Sequence, residues 1–123
     1  MTSKSAPSSD CLFCRIVRGE IPSTPLGQSD DTLIIQDIAP QAPFHALVIP
    51  RRHAADIGEF MKGETAPSEL SDLFSTALAL VEDRGIDRKG YRLVVNTGRD
   101  GGQTVGHLHF HLLAGRPMGW PPG

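Results

Sequence analysis

The run His107-Leu108-His109-Phe110-His111 constrains this chain more than any other stretch. Successive side chains of a strand point to opposite faces, so strict alternation places His107, His109 and His111 on one face. Leu108, Phe110 and Leu112 share the other and belong to the core. At roughly 3.3 Å of rise per residue, neighbouring imidazoles start about 7 Å apart, a spacing that can bracket a single phosphate group. A metal site, a pH sensor and a merely solvated strand are the plainer readings of the same pattern, and the run alone does not choose among them.

The rest of the chain predicts one α+β domain over residues 11–123, preceded by a Ser-rich tail over 1–10 expected to be disordered. Cys11 to Arg18 reads as a short N-terminal helix stopping at Gly19. Thr32 to Asp37 and Phe44 to Ile49 read as strands around a Pro-framed loop, and Tyr91 to Thr97 and Val105 to Leu113 as two more. A short helix is expected near Ala54 to Phe60. The main helix is marked by Leu70, Leu73, Phe74, Ala77, Leu78 and Val81 at the spacing of one buried face, with Pro67 before it, Ser68 as its cap and Gly85 at its end. The tail Arg116 to Gly123, with Pro117, Pro121 and Pro122, extends across a surface.

A net charge of −2 gives no general electrostatic footprint for nucleic acid or an anionic membrane, so any phosphate must be held locally. No stretch has the apolar length of a secretory signal core or a membrane span, and the expected location is the cytoplasm. In that reducing compartment Cys11 and Cys14 suit a metal site or a redox pair better than a structural disulfide. Gly98 to Thr104 leads straight into the histidine run. Its glycines allow backbone N–H groups close to an anion, and Gln103 and Thr104 offer side-chain donors; a tight hairpin connection is the competing reading.

Four stretches carry a family resemblance: CLFCRIVRGEIP (11–22), DIAPQAPFHALVIPRRH (37–53), GYRLVVNTGRDGGQTVGHLHFHLLAGR (90–116) and WPPG (120–123). Together they resemble the histidine triad superfamily, and more specifically its Hint branch of nucleotide-binding proteins, in the bacterial form with a C-x-x-C pair. The resemblance implies an antiparallel five-stranded sheet, continued across a homodimer in which the segment around Trp120 approaches the partner's site. It also implies hydrolysis of purine nucleoside 5′-phosphoramidates through a covalent nucleotidyl-histidine. A non-catalytic nucleotide-binding scaffold and a dinucleoside polyphosphate hydrolase are the alternatives.

Carried over position by position, the resemblance makes His109 the nucleophile. His111 and the segment Gly102, Gln103 and Thr104 then lie against the phosphate, with the Thr104 hydroxyl assisting the departing amine. His45 orients His109 or relays a proton; taken alone it reads as a satisfied half-buried histidine. Asp37 accepts the ribose hydroxyls, Ile38 packs on the purine, and Asn96 makes a further nucleotide contact. A structural zinc is implied on Cys11, Cys14, His53 and His107, which divides the triad between metal and chemistry. The chain departs from the pattern at Gly106, where relatives often carry an aromatic residue, and at Pro25 and Gly27, which weaken the expected first strand.

Overall fold

A computed structural model describes residues 10–123. The tail expected over 1–10 lies outside the described residues except for Asp10, which sits in a turn. Five strands form one antiparallel sheet: β1 Gly27–Gln28, β2 Thr32–Gln36, β3 Phe44–Pro50, β4 Tyr91–Val95 and β5 Phe110–Ala114, in the spatial order β1-β2-β3-β5-β4. The weakened first strand survives as a two-residue pairing of Gly27 and Gln28 with Ile34 and Leu33. Three α-helices, α1 Leu12–Val17, α2 Ile57–Phe60 and α3 Ala66–Asp83, and a 3-10 turn at Ile86–Arg88 complete the described fold.

Alternation along the central strands gives each face of the sheet its own core. Ile34, Ala46, Val48, Phe110 and Leu112 face α3, where Leu73, Ala77, Leu80 and Val81 pack against them. Leu33, Ile35, Leu47 and Ile49 face the opposite way, onto Phe13 of α1. The register sets Ile35 opposite Leu47, Leu47 opposite His111 and His111 opposite Val94. His111 therefore stands on the α1 face.

Several boundaries differ from expectation. Helix α3 begins four residues before Leu70, at Ala66; Pro67 lies inside its first turn, where a missing N–H costs nothing. Ser68 is not the cap, since Thr65 holds that position and the Ser68 hydroxyl donates to the Thr65 carbonyl at 3.0 Å. Phe74 and Leu78, placed on the buried face by periodicity, are 38% and 41% exposed, because the sheet covers only the stripe through Leu73, Ala77 and Leu80. The short helix is a single turn capped by Asp56, whose carboxylate accepts the Glu59 N–H at 2.8 Å. Strands β2 and β4 stop at Gln36 and Val95, short of Asp37 and Thr97.

The largest correction falls on the histidine strand. β5 starts at Phe110 instead of Val105, so only His111 of the triad lies in the ladder. Val48 pairs with Phe110, which sets Pro50 opposite Leu108, and proline has no N–H to continue the pairing. The Leu108 N–H goes to the Ala54 carbonyl instead, at 2.8 Å. Alternation of burial outlasts the ladder, with Leu108, Phe110 and Leu112 in one core cluster.

Candidate active site and metal centre

His45 on β3 and His111 on β5 meet through a 2.9 Å contact between His45 Nε2 and His111 Nδ1. The Gln41 N–H donates to His45 Nδ1 at 2.9 Å, which puts the His45 ring proton on Nε2. That proton is aimed at His111 Nδ1, leaving the neutral His111 ring with its own proton on Nε2. Asp37 Oδ2 lies 3.4 Å from His45 Nε2 and competes for the same hydrogen, while Asp37 Oδ1 accepts the Ala39 N–H at 2.7 Å. Burial, then the neighbouring His109 and His45, depress the pKa of His111, against a smaller opposing pull from Asp37.

His109 is oriented differently from expectation. Its Nδ1 donates to the His107 carbonyl at 2.8 Å, so the neutral ring carries its lone pair on Nε2. His45 accordingly positions His111, and a main-chain carbonyl takes the part assigned to His45 at His109. Phe13 packs edge-on against His109 with ring centroids 5.0 Å apart, and His111 does so at 5.1 Å. The buried His109 is held by both rings and by one hydrogen bond.

His109, His111, Thr104, Asp37 and Ile38 line one cavity of about 560 Å³, with apolar walls that include Phe13, Ile35 and Leu47. Ile38 is fully exposed on its rim. Asn96 is not in this cavity; it lines another of about 400 Å³ that also includes His45 and His111. Gln103 has no spare donors for an anion. Its amide donates to the Ala55 and Val105 carbonyls at 2.6 and 2.9 Å and its Oε1 accepts the Gly98 N–H at 3.2 Å. The Gly102 and Gln103 N–H groups bond to Arg99 and Gly98 carbonyls inside the turn. Gly98 and Gly102 have φ of +70° and +80°, the values a tight connection needs.

Two contributors escaped the sequence reading. Phe13 lies between the cysteines, where only the thiols drew notice; its place in an apolar helical turn with Ile16 and Val17 was the available signal. Gln41 acts through its backbone N–H, which no side-chain pattern announces.

Beside the triad, Cys11 Sγ, Cys14 Sγ, His53 and His107 bring four donor atoms within 4.8 Å of one another. Closer contacts are Cys11 Sγ to His107 Nδ1 at 3.3 Å, Cys14 Sγ to His53 Nδ1 at 3.2 Å and His53 Nδ1 to His107 Nδ1 at 3.1 Å. Tetrahedral zinc, with bonds of about 2.3 Å to sulfur and about 2.0 Å to nitrogen, separates its donors by about 3.3–3.8 Å. His107 Nε2 donates to the Pro50 carbonyl at 2.8 Å, so its Nδ1 lone pair points at the cluster. Burial pushes the His107 pKa down to about 4, keeping the ring neutral as a metal requires. Two thiols, two neutral imidazoles and this closed geometry support a structural zinc. Asp37, His45 and His111 also lie within 4.8 Å of one another. There the proton fixed on His45 Nε2 occupies the position a metal would need, which makes that group a hydrogen-bond chain.

Comparison with known proteins follows the same lines. The model of the HIT domain matches residues 18–118. The chain is 46% identical over 116 residues to an uncharacterised HIT-like protein of Synechococcus elongatus, covering 94% of this chain and 99% of that one. It is 41% identical to a 14 kDa zinc-binding protein of Brassica juncea, covering 93% and 100% of the two chains. To the purine nucleoside phosphoramidase of Escherichia coli it is 40% identical, covering 89% and 91%. The crystal structure of a HIT family hydrolase from Legionella pneumophila superposes with a TM-score of 0.86 at 44% identity, over 93% of this chain and 100% of the other. Fold and sequence agree along nearly the whole described length, and the chain belongs to the HIT domain family.

Proposed function

We propose that the protein is a purine nucleoside phosphoramidase, hydrolysing the P–N bond of a nucleoside 5′-phosphoramidate through a nucleotidyl-histidine. The observation that carries this reading is His109: its Nδ1 is tied to the His107 carbonyl, and the ring lines a cavity that also holds His111 and Asp37. The 40% identity to the Escherichia coli phosphoramidase supports it.

In the first step His109 Nε2 attacks phosphorus and the P–N bond breaks. The bond pair leaves with nitrogen, which takes the proton of the Thr104 hydroxyl as that exposed oxygen regains one from solvent, and departs as the amine. His111, with its proton on Nε2, donates to a phosphoryl oxygen as charge develops, and His45 holds that tautomer. Water then attacks phosphorus; the P–Nε2 bond breaks with its pair returning to Nε2 and the water's proton passes to solvent, giving the nucleoside monophosphate and neutral His109. Asp37 at the far end accepts the ribose hydroxyls while Ile38 packs on the purine.

Cys11, Cys14, His53 and His107 hold zinc in this reading, tying α1 to the segment that carries the nucleophile; the zinc-binding relative from Brassica juncea supports the assignment. Thiolate ligands suit a reducing compartment, the cytoplasm. The edge position of β4, with Tyr91 and Val95 exposed, supports a homodimer.

Turnover of a fluorogenic adenosine 5′-phosphoramidate tests the proposal. His109→Ala is expected to lower kcat by about 10³-fold or more while AMP still binds. Equal rates would remove the nucleophile; a wild type that binds AMP without turnover would favour the scaffold. Offering a dinucleoside polyphosphate to the same preparation decides the remaining alternative.

A further inference from the structure

The two histidines of the metal centre are oriented in different ways. His107 has its outer nitrogen on the Pro50 carbonyl at 2.8 Å, which fixes the plane of its ring. His53 Nδ1 faces Cys14 Sγ and His107 Nδ1, and among the described residues its Nε2 has no protein hydrogen-bond partner. The direction of the His53 ring is therefore set by its backbone. On one side the Ala54 carbonyl accepts the Leu108 N–H at 2.8 Å, which joins the residues that follow the two metal histidines. On the other side stands Arg52.

Arg52 is locked onto α3 and α2. Its Nε lies 2.9 and 3.0 Å from the two carboxylate oxygens of Glu69, and its Nη2 lies 2.9 Å from one of them. Nη2 also donates to the Phe60 carbonyl at 3.0 Å, and the guanidinium sits 4.0 Å from the centre of the Phe60 ring. The Thr65 hydroxyl donates to Glu69 at 2.8 Å. An ion pair with a carboxylate as buried as Glu69 adds little stability over apolar packing of the same volume, because the charges give up water. What a fork held at several points adds is direction. It fixes the backbone of the residue that carries it, and that residue precedes His53.

We propose that Arg52, through its ion pair with Glu69, is a positioning residue for the zinc ligand His53 and thereby sets the affinity of the metal centre. The inference rests on the zinc reading and is independent of the reaction. It gives the metal centre an anchor on α3 in addition to α1.

Zinc-loaded full chains of wild type, Arg52→Gln, Arg52→Lys, Gly63→Ala and Leu80→Ala are titrated with a chromophoric zinc chelator, with circular dichroism and Tm recorded on each. Gly63→Ala keeps every charge and displaces the fork, since a Cβ there would lie 2.9 Å from Arg52 Nη2 and 3.0 Å from its Cζ, and Gly63 is not among the glycines with positive φ. Leu80→Ala opens the core at the other end of α3 and stands for destabilisation alone. Arg52→Gln is expected to raise the zinc dissociation constant by about tenfold or more, with Arg52→Lys and Gly63→Ala between it and wild type. Leu80→Ala is expected to lower Tm and to hold zinc as wild type does. If Arg52→Gln loses its fold, Arg52→Lys and Gly63→Ala carry the comparison. Variants at Arg52 and Gly63 that hold zinc as tightly as wild type, or no more weakly than Leu80→Ala, overturn the positioning role and leave the metal centre intact. A wild type that holds no zinc removes the metal reading, and this inference with it.

Discussion

At the scale of single residues, position in sequence and role in the fold part company most clearly at Gln103. An amide inside a glycine-rich turn reads as a donor for a bound anion, yet its hydrogens go to the carbonyls of Ala55 and Val105. Gln103→Ala leaves those carbonyls without this partner and is expected to cost about 1–3 kcal/mol, seen as a lower Tm with substrate affinity little changed. A large loss of affinity at unchanged Tm would return Gln103 to the phosphate. The misreading has a simple cause, since Ala55 lies 48 residues away along the chain. His45 shows the same limit: its partner His111 is 66 residues distant, and only the β3–β5 register brings them together.

Among the elements, α1 has the weakest claim to stand alone. It spans six residues, with no acidic side chain in its first turn, well below the length at which an isolated helix is stable in water. Phe13 buried on the sheet and the cysteines at the metal cluster hold it in place. Stripping metal with a chelator, or substituting Cys14→Ser, is expected to release Leu12–Val17 first. Hydrogen exchange should show protection lost there while the α3 amides around Leu73 keep theirs. Uniform loss across both helices would instead make the metal cluster part of the global core. Because Phe13 also packs against His109, the same treatment should reduce activity before the sheet unfolds. β5 was legible as alternation but not in extent, because where a ladder ends depends on the opposite strand, here on Pro50.

For the molecule as a whole, buried histidines set the response to acid. His107 has its pKa lowered from 6.5 to about 4, so the unfolded chain binds its proton first and stability rises with pH through this window. Protein in which α1 stays docked over His107 is expected to lose roughly 3 kcal/mol from this group as pH falls from 6.5 to about 4, measured by denaturant unfolding at each pH. A flat profile would contradict the burial of that ring. The depressed pKa of His111 has the same sign, extending its neutral range below that of an ordinary histidine. The exposed edge of β4 predicts a particle of twice the chain mass by light scattering; a monomer alone would refute the dimer.

What the sequence by itself determined is local chemistry and periodicity: which residues face which way near His111, which helix is long, and which side chains can bind metal or attack phosphorus. The tertiary structure decided which nitrogen of each imidazole carries a proton, because Gln41, Pro50 and the His107 carbonyl supply that choice from backbone atoms. It also decided that His107 leaves the ladder for the metal cluster while His111 remains in it. These outcomes depend on contacts between distant segments, where one backbone donor or acceptor orients a ring. The alternating pattern carries no record of them.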